Sequence, residues 1–189
     1  MRLILASSSP YRAKLLSRLR LPFEAVVPGF EELPPGAMPV SQLIRWNTLG
    51  KAQSVLKHRP GCTIIASDQL AVCDDDVLGK PGSEARACKQ LSRLSGRCVT
   101  FLTGMAVLTE GEEHYEEISF RVHFRKLSKV EIKTYVRLEN PVDCAGSFKV
   151  EGLGICLFER LEGDDPTALM GLPLIRLSLY LHPLHHGHS

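Results

Sequence analysis

No apolar run in this 189-residue chain approaches the roughly 18 residues that a membrane-crossing helix needs, so no membrane partner is expected. The six cysteines, at 62, 73, 88, 98, 144 and 156, include no C-x-x-C pair, which argues against both a zinc site and a disulfide scaffold. Charge of one sign is lacking as well. With 23 basic and 21 acidic residues the formal charge is +2, too small for general attraction to nucleic acid, so any anion must be met by a local site. Nor is the composition that of a disordered chain, with 44% hydrophobic and 23% charged residues. A strand starts at Leu3 with no signal-peptide pattern ahead of it, and a reducing cytoplasm is the expected location. The length suits one large α/β domain or two lobes sharing a sheet; we expect a single functional unit over residues 1–181 and a His-rich tail over 182–189. Within that tail His182, His185, His186 and His188 suggest adventitious metal binding rather than a built site.

What the chain does have is concentrated in residues 62–81. Cys62-Thr63-Ile64-Ile65-Ala66 reads as a buried strand that breaks at Ser67-Asp68-Gln69 before Leu70-Ala71-Val72 resumes. Asp74-Asp75-Asp76 forms a turn, Val77-Leu78 returns beside Val72, and Gly79-Lys80-Pro81 comes back toward the level of Gln69, placing Lys80 near Asp68. Taken singly, the aspartate reads as a turn cap and the lysine as a solvated side chain. Together they suit metal-assisted or general-base chemistry on an anionic substrate, the acid holding a cation or a water while the lysine meets negative charge.

Elsewhere the signals are local. Ser9 caps a helix over residues 10–19 that has Pro10 at its first position and buries Leu15, Leu16 and Leu19. Strand, serine turn and helix start, with Arg12 in the first turn, make an anion-site geometry, though Ser7-Ser8-Ser9-Pro10 reads equally well as an ordinary capped turn. Five prolines and two glycines make residues 22–39 a loop carrying Glu31-Glu32. Ser41 caps a helix to Leu56 whose stripe of Leu43, Trp46, Leu49, Ala52 and Val55 faces the core, with Lys51 one position away. A helix from Ser83 to Gly96, a β-hairpin over 99–108 and 114–125, and a capping-box helix from Ser128 form a scaffold. Three glycines among residues 144–154 mark backbone that bends sharply or approaches a ligand, with Lys149 and Glu151 on one face. A strand over 155–158 and a helix near Gly171-Leu172-Pro173 close the fold.

The set Leu5-Ala6-Ser7-Ser8-Ser9-Pro10-Tyr11-Arg12, Glu32, Lys51-Ala52, Ser67-Asp68-Gln69, Gly79-Lys80-Pro81, Gly146-Ser147-Phe148-Lys149-Val150-Glu151-Gly152 and Gly171-Leu172-Pro173 resembles the Maf family of nucleotide pyrophosphatases, in family order. Tyr11, Gln69 and Glu151 resemble the subgroup acting on 7-methyl-GTP, whereas relatives preferring thymidine and uridine triphosphates carry arginine and threonine at the first two positions. The resemblance implies an elongated α/β fold, a mixed twisted sheet with flanking helices and two lobes around a cleft, like the inosine triphosphate pyrophosphatases. It implies Asp68 as general base, with Glu32 and Asp68 holding a divalent cation, Mg2+ or Mn2+. Ser7, Arg12, Lys51 and Lys80 would meet the phosphates, and Phe148, Lys149 and Glu151 the opposite wall. The partner implied is a small-molecule nucleotide, with no stable nucleic acid and with room for a homodimer. Two departures stand out: Asn47-Thr48 where relatives usually have Leu-Ala, and Ala13 where a basic residue is common. Two other readings stay open, a pyrophosphatase for dTTP, UTP or other modified nucleotides and a nucleotide-binding regulator of cell division or septum formation.

Overall fold

β1 (Arg2–Ala6) is buried on both faces, and this sets the layering of the first part of the protein. Because side chains alternate along a strand, Leu3 and Leu5 point one way and Ile4 and Ala6 the other. Leu3 and Leu5 pack with Leu15 and Leu16 of α1 (Pro10–Leu16) and with Leu174, Leu177 and Leu181 of α6 (Leu174–Leu181). Ile4 and Ala6 pack with Ala52 and Val55 of α2 (Val40–Leu56). A strand covered by helices on both sides must be apolar where it is buried, which is why residues 3–6 read Leu-Ile-Leu-Ala rather than an alternating pattern.

In this computed structural model, which describes residues 2–182, the chain forms two compact units. The first holds described residues 2–69, 102–118 and 165–182, and the second residues 70–101 and 119–164. Strands β3 (Cys62–Cys73), β5 (Cys98–Leu108) and β6 (Glu113–Phe124) contribute residues to both. The class is α/β, a mixed sheet with flanking helices, as the sequence leads one to expect. In the first unit the strand order is β2-β1-β3-β5-β6, with β1 parallel to both β2 (Phe23–Val26) and β3. In the second, β4 (Asp76–Leu78) pairs antiparallel with β3, Val72 facing Val77 as the acidic turn implies. There β7 (Phe158–Glu162) pairs antiparallel with β6. The core of the second unit includes an aromatic cluster in which Phe148 meets Phe101, Phe124 and Phe158 edge-on at 5.0 to 5.4 Å.

Caps fall where the serines predict. Ser9 accepts from the Arg12 N–H at α1, Ser83 from Arg86 at α3 (Glu84–Leu94), and Ser128 with Glu131 completes the capping box of α4 (Lys129–Glu139). α1 ends at Leu16 and a 3-10 turn, Ser17–Leu19, finishes the expected helix, Leu19 being partly buried against the core.

Five expectations need correction. Residues 22–39 are not all loop: Phe23–Val26 pairs with β1 as an edge strand, between Pro22 and Pro28 rather than across either. α2 starts at Val40 without a side-chain cap, and the Ser41 hydroxyl donates to Glu117 instead. Its buried face is Leu43, Ile44, Asn47, Thr48, Lys51, Ala52 and Val55, while Trp46 is 54% exposed. A stripe repeating every three residues drifts off a helix of 3.6 residues per turn, and the core takes the 3.6 face. β3 does not break at Ser67-Asp68-Gln69; the strand is continuous. Finally, residues 155–157 are not a strand: they belong to a 3-10 turn, Leu153–Leu157, and β7 starts at Phe158; Lys149 and Glu151 lie outside any strand and share no strand face. A short helix the sequence reading omits, α5 (Pro166–Leu169), has Asp165 as its cap and proline at its first position. Of the His-rich tail only His182 lies among the described residues, closing α6 in a left-handed conformation.

Candidate active site

The first unit gathers four charged side chains from four separate segments. Lys51 is held on the buried face of α2 at 4% exposure, and Asp68 is buried in β3 at 7%. The Lys51 Nζ donates to Asp68 Oδ1 at 2.8 Å and lies 2.8 Å from Glu32 Oε1, so one ammonium closes on two carboxylates. Asn47, one turn before Lys51, donates from Nδ2 to Asp68 Oδ2 at 3.4 Å. Arg12 is the fourth charge. Burial pulls its guanidinium below its ordinary value, and the carboxylates of Asp68 and Glu32 act in the opposite direction. Two acids and two bases therefore balance, and a triphosphate entering among them would bring negative charge that the side chains do not offset.

The polar triplet stays in the strand because each side chain finds a partner. The Ser67 hydroxyl lies 2.7 Å from the Gly104 carbonyl and 2.8 Å from that of Gly171. Gln69 donates from Nε2 to the Ala168 carbonyl at 2.7 Å, the Thr103 hydroxyl at 2.9 Å and, less closely, the Leu169 carbonyl. Satisfied in this way, buried polar groups cost little, and the backbone has no reason to leave its ladder. Gly171 is a shared anchor: its carbonyl also accepts from Arg12 Nε at 2.9 Å, and its φ of 103° is one that favours glycine.

Asp165 fixes that anchor. Its Oδ1 accepts from the Thr167 N–H and hydroxyl, at 2.9 and 2.5 Å, and its Oδ2 from the Ile175 N–H at 2.8 Å, tying the start of α5 to that of α6 around Gly171. Asp165→Ala removes the acceptor for three donors. It is expected to cost about 2 to 3 kcal/mol, lowering the thermal midpoint by roughly 5 °C or more; an unchanged melting curve would remove Asp165 as the holder of this corner.

The remaining sequence-predicted residues sort by unit. Ser7 is buried after β1 and its Oγ accepts from the Ser9 N–H at 3.1 Å. Tyr11 stands 51% exposed beside Arg12 at the start of α1. Lys80, Phe148, Lys149 and Glu151 belong to the second unit. Lys80 is exposed, one residue past Gly79, whose carbonyl accepts from Gln90 Nε2 at 3.2 Å. Phe148 is buried in the aromatic cluster. Lys149 donates from Nζ to the Glu139 carbonyl at 3.0 Å, and the Glu139 carboxylate accepts from the Leu153 N–H, so one acid shapes this glycine-rich turn. Glu151 is exposed. Sequence reasoning did not assign roles to Asn47, Ser67 and Asp165; for Asn47 a signal existed, a polar residue four positions before Lys51 on the same helix face.

Among the described residues no group of three or more His, Cys, Asp or Glu side chains could hold a metal. Glu32 and Asp68 supply two converging carboxylates. That donor set fits magnesium, which takes one or two carboxylates from protein and fills its shell with water and substrate phosphates; manganese accepts the same hard oxygen ligands.

The Maf-like protein family matches residues 2–184, and the chain belongs to the Maf family. A 7-methyl-GTP pyrophosphatase of Alkalilimnicola ehrlichii is 52% identical over 181 residues, covering 95% of this chain and 91% of that protein. Proteins of the same name from Pseudomonas aeruginosa and Cupriavidus metallidurans are 49% and 50% identical, covering 93% of this chain and 92% and 89% of theirs. Among solved structures, that of the Staphylococcus aureus Ham1 protein aligns at TM-score 0.48 and 14% identity over 66% of this chain and 72% of its own.

Proposed function

We propose that this chain hydrolyses 7-methyl-GTP to 7-methyl-GMP and pyrophosphate, removing a modified nucleotide from the cytoplasmic pool. The observation that carries the reading is the Lys51 ammonium closed on Glu32 and Asp68, in a chain about half identical to proteins named for that activity. Water attacks the α-phosphorus, the bond to the bridging oxygen breaks, and pyrophosphate leaves with the electron pair. Asp68, oriented by Lys51 and Asn47, takes the proton of the attacking water. Arg12 and Lys51 stabilise charge on the bridging and leaving oxygens. Glu32 and Asp68 would hold a magnesium or manganese ion, which when bound neutralises phosphate charge.

Tyr11 is the candidate for reading the base. Methylation at the seven position puts positive charge on the guanine ring, and such a ring stacks on an electron-rich aromatic face with about 0.5 to 2 kcal/mol of added attraction. Among the described residues no helix is long and apolar enough to cross a membrane. The test is pyrophosphate release from 7-methyl-GTP, GTP, UTP and dTTP, with magnesium and with a chelator. We expect the highest kcat/KM for 7-methyl-GTP, loss of activity on chelation, and in Tyr11→Ala a larger loss for 7-methyl-GTP than for GTP. Better hydrolysis of UTP or dTTP would contradict the assignment and support the pyrimidine reading.

A further inference from the structure

Glu32 sits on a loop, and its side chain is 53% exposed. An ion pair to an exposed acid is worth little, so Lys51 alone gives weak control over where this carboxylate stands. The control comes from the loop's backbone, which α2 grips on either side of Glu32. Asn47 is buried, its Oδ1 accepts the Leu33 N–H at 3.0 Å, and its Nδ2 donates to the Leu33 carbonyl at 3.3 Å. One amide thus mates with both backbone groups of the residue after Glu32. The amide's two hydrogens allow the same Nδ2 to reach Asp68 Oδ2 at 3.4 Å as well.

The second grip is steric. A Cβ at Gly50 would stand 2.1 Å from Cε2 of Phe30, so the Phe30 ring lies against a helix surface that only glycine leaves bare. Asn47 and Gly50 are one turn apart on α2, and Lys51 follows Gly50 directly. The helix that supplies the ammonium therefore also fixes the acid that meets it.

We propose that Asn47 is a positioning residue that holds Glu32 and Asp68 in register, with the Phe30–Gly50 contact as its second point of attachment. The proposal rests on the reading that these two carboxylates receive the triphosphate with its divalent cation. A polar group kept merely for packing would not tie the cation-binding strength of the site to residue 47, and this is where the two explanations part.

Asn47→Leu keeps the number and branching of side-chain heavy atoms and removes all three hydrogen bonds, and Phe30→Ala, at a half-buried loop position, loosens the other grip without touching Asp68. Two readouts on the full chain decide the matter: hydrogen exchange at the Leu33 amide, and Mn2+ affinity by electron paramagnetic resonance with the α,β-methylene analogue of 7-methyl-GTP present. For Asn47→Leu we expect Leu33 to exchange at least about tenfold faster and the Mn2+ dissociation constant to rise roughly tenfold, as for residues that orient metal ligands. Phe30→Ala should shift Mn2+ affinity in the same direction, and it decides the question should Asn47→Leu not fold. Wild-type Mn2+ affinity in the folded variants overturns the proposal. Glu32→Gln, measured in parallel, separates the layers: a large loss there with no change in Asn47→Leu overturns the grip alone, while no change in Glu32→Gln overturns the reading of the site together with it.

Discussion

Asp68→Asn is expected to lower turnover of 7-methyl-GTP by about two orders of magnitude or more while the protein stays folded. The substitution keeps the size of a buried side chain and leaves an oxygen that can accept from Lys51 Nζ, now at 2.8 Å from Oδ1. What it removes is the capacity to take a proton and half of the negative charge facing a cation. Glu32 still pairs with Lys51, so the ammonium is not stranded, and the thermal midpoint should move little. Steady-state pyrophosphate release and a melting curve check both halves of the statement. Near-normal turnover would take Asp68 out of the mechanism.

Lys51→Met should be the more damaging change for the fold. Methionine replaces much of the aliphatic stem, but Asp68 then lies buried without its cation and Glu32 loses its partner. Removing one member of a buried pair typically costs about 3 to 5 kcal/mol, because the charge left behind is uncompensated. For a chain of this size that amounts to a drop of roughly 6 to 20 °C in thermal midpoint. Loss of a cation from the proposed phosphate site should also lower kcat by about a hundredfold or more. The signature of the ion pair is non-additivity: adding Asp68→Asn to Lys51→Met removes the stranded charge and should restore part of the lost stability. Equal or greater destabilisation in the double variant would contradict the pairing as the source of the cost.

Much of this was legible in the sequence, and the reasons are local. Serine caps at 9, 83 and 128, the acidic turn before Val77 and the alternating apolar residues from Ile118 to Phe124 are short-range signals, and the chain obeys them. Misreadings occur where tertiary packing outweighs them. Trp46 is apolar yet 54% exposed, while the face of α2 that turns inward carries Asn47 and Lys51, for which a polar partner, Asp68, waits there. The polar triplet 67–69 looks like an interruption until Ser67 is seen bonded to Gly171, 104 residues away. β2 hides among prolines because an edge strand with half-exposed residues has a weak apolar pattern. For the site, motif resemblance brought together Arg12, Glu32, Lys51 and Asp68, which converge in one unit. It could not show that Asn47 bonds to the loop that carries Glu32, or that Asp165 ties α5 to α6, since those roles depend on partners set by the fold.

The measurement closest to the central claim is product analysis of a single turnover of 7-methyl-GTP by the wild-type protein and by Asp68→Asn in the presence of magnesium. The account predicts 7-methyl-GMP and pyrophosphate in equal amounts from the wild type and almost none from the variant over the same interval. Orthophosphate in place of pyrophosphate, or the same yield from both proteins, would contradict it.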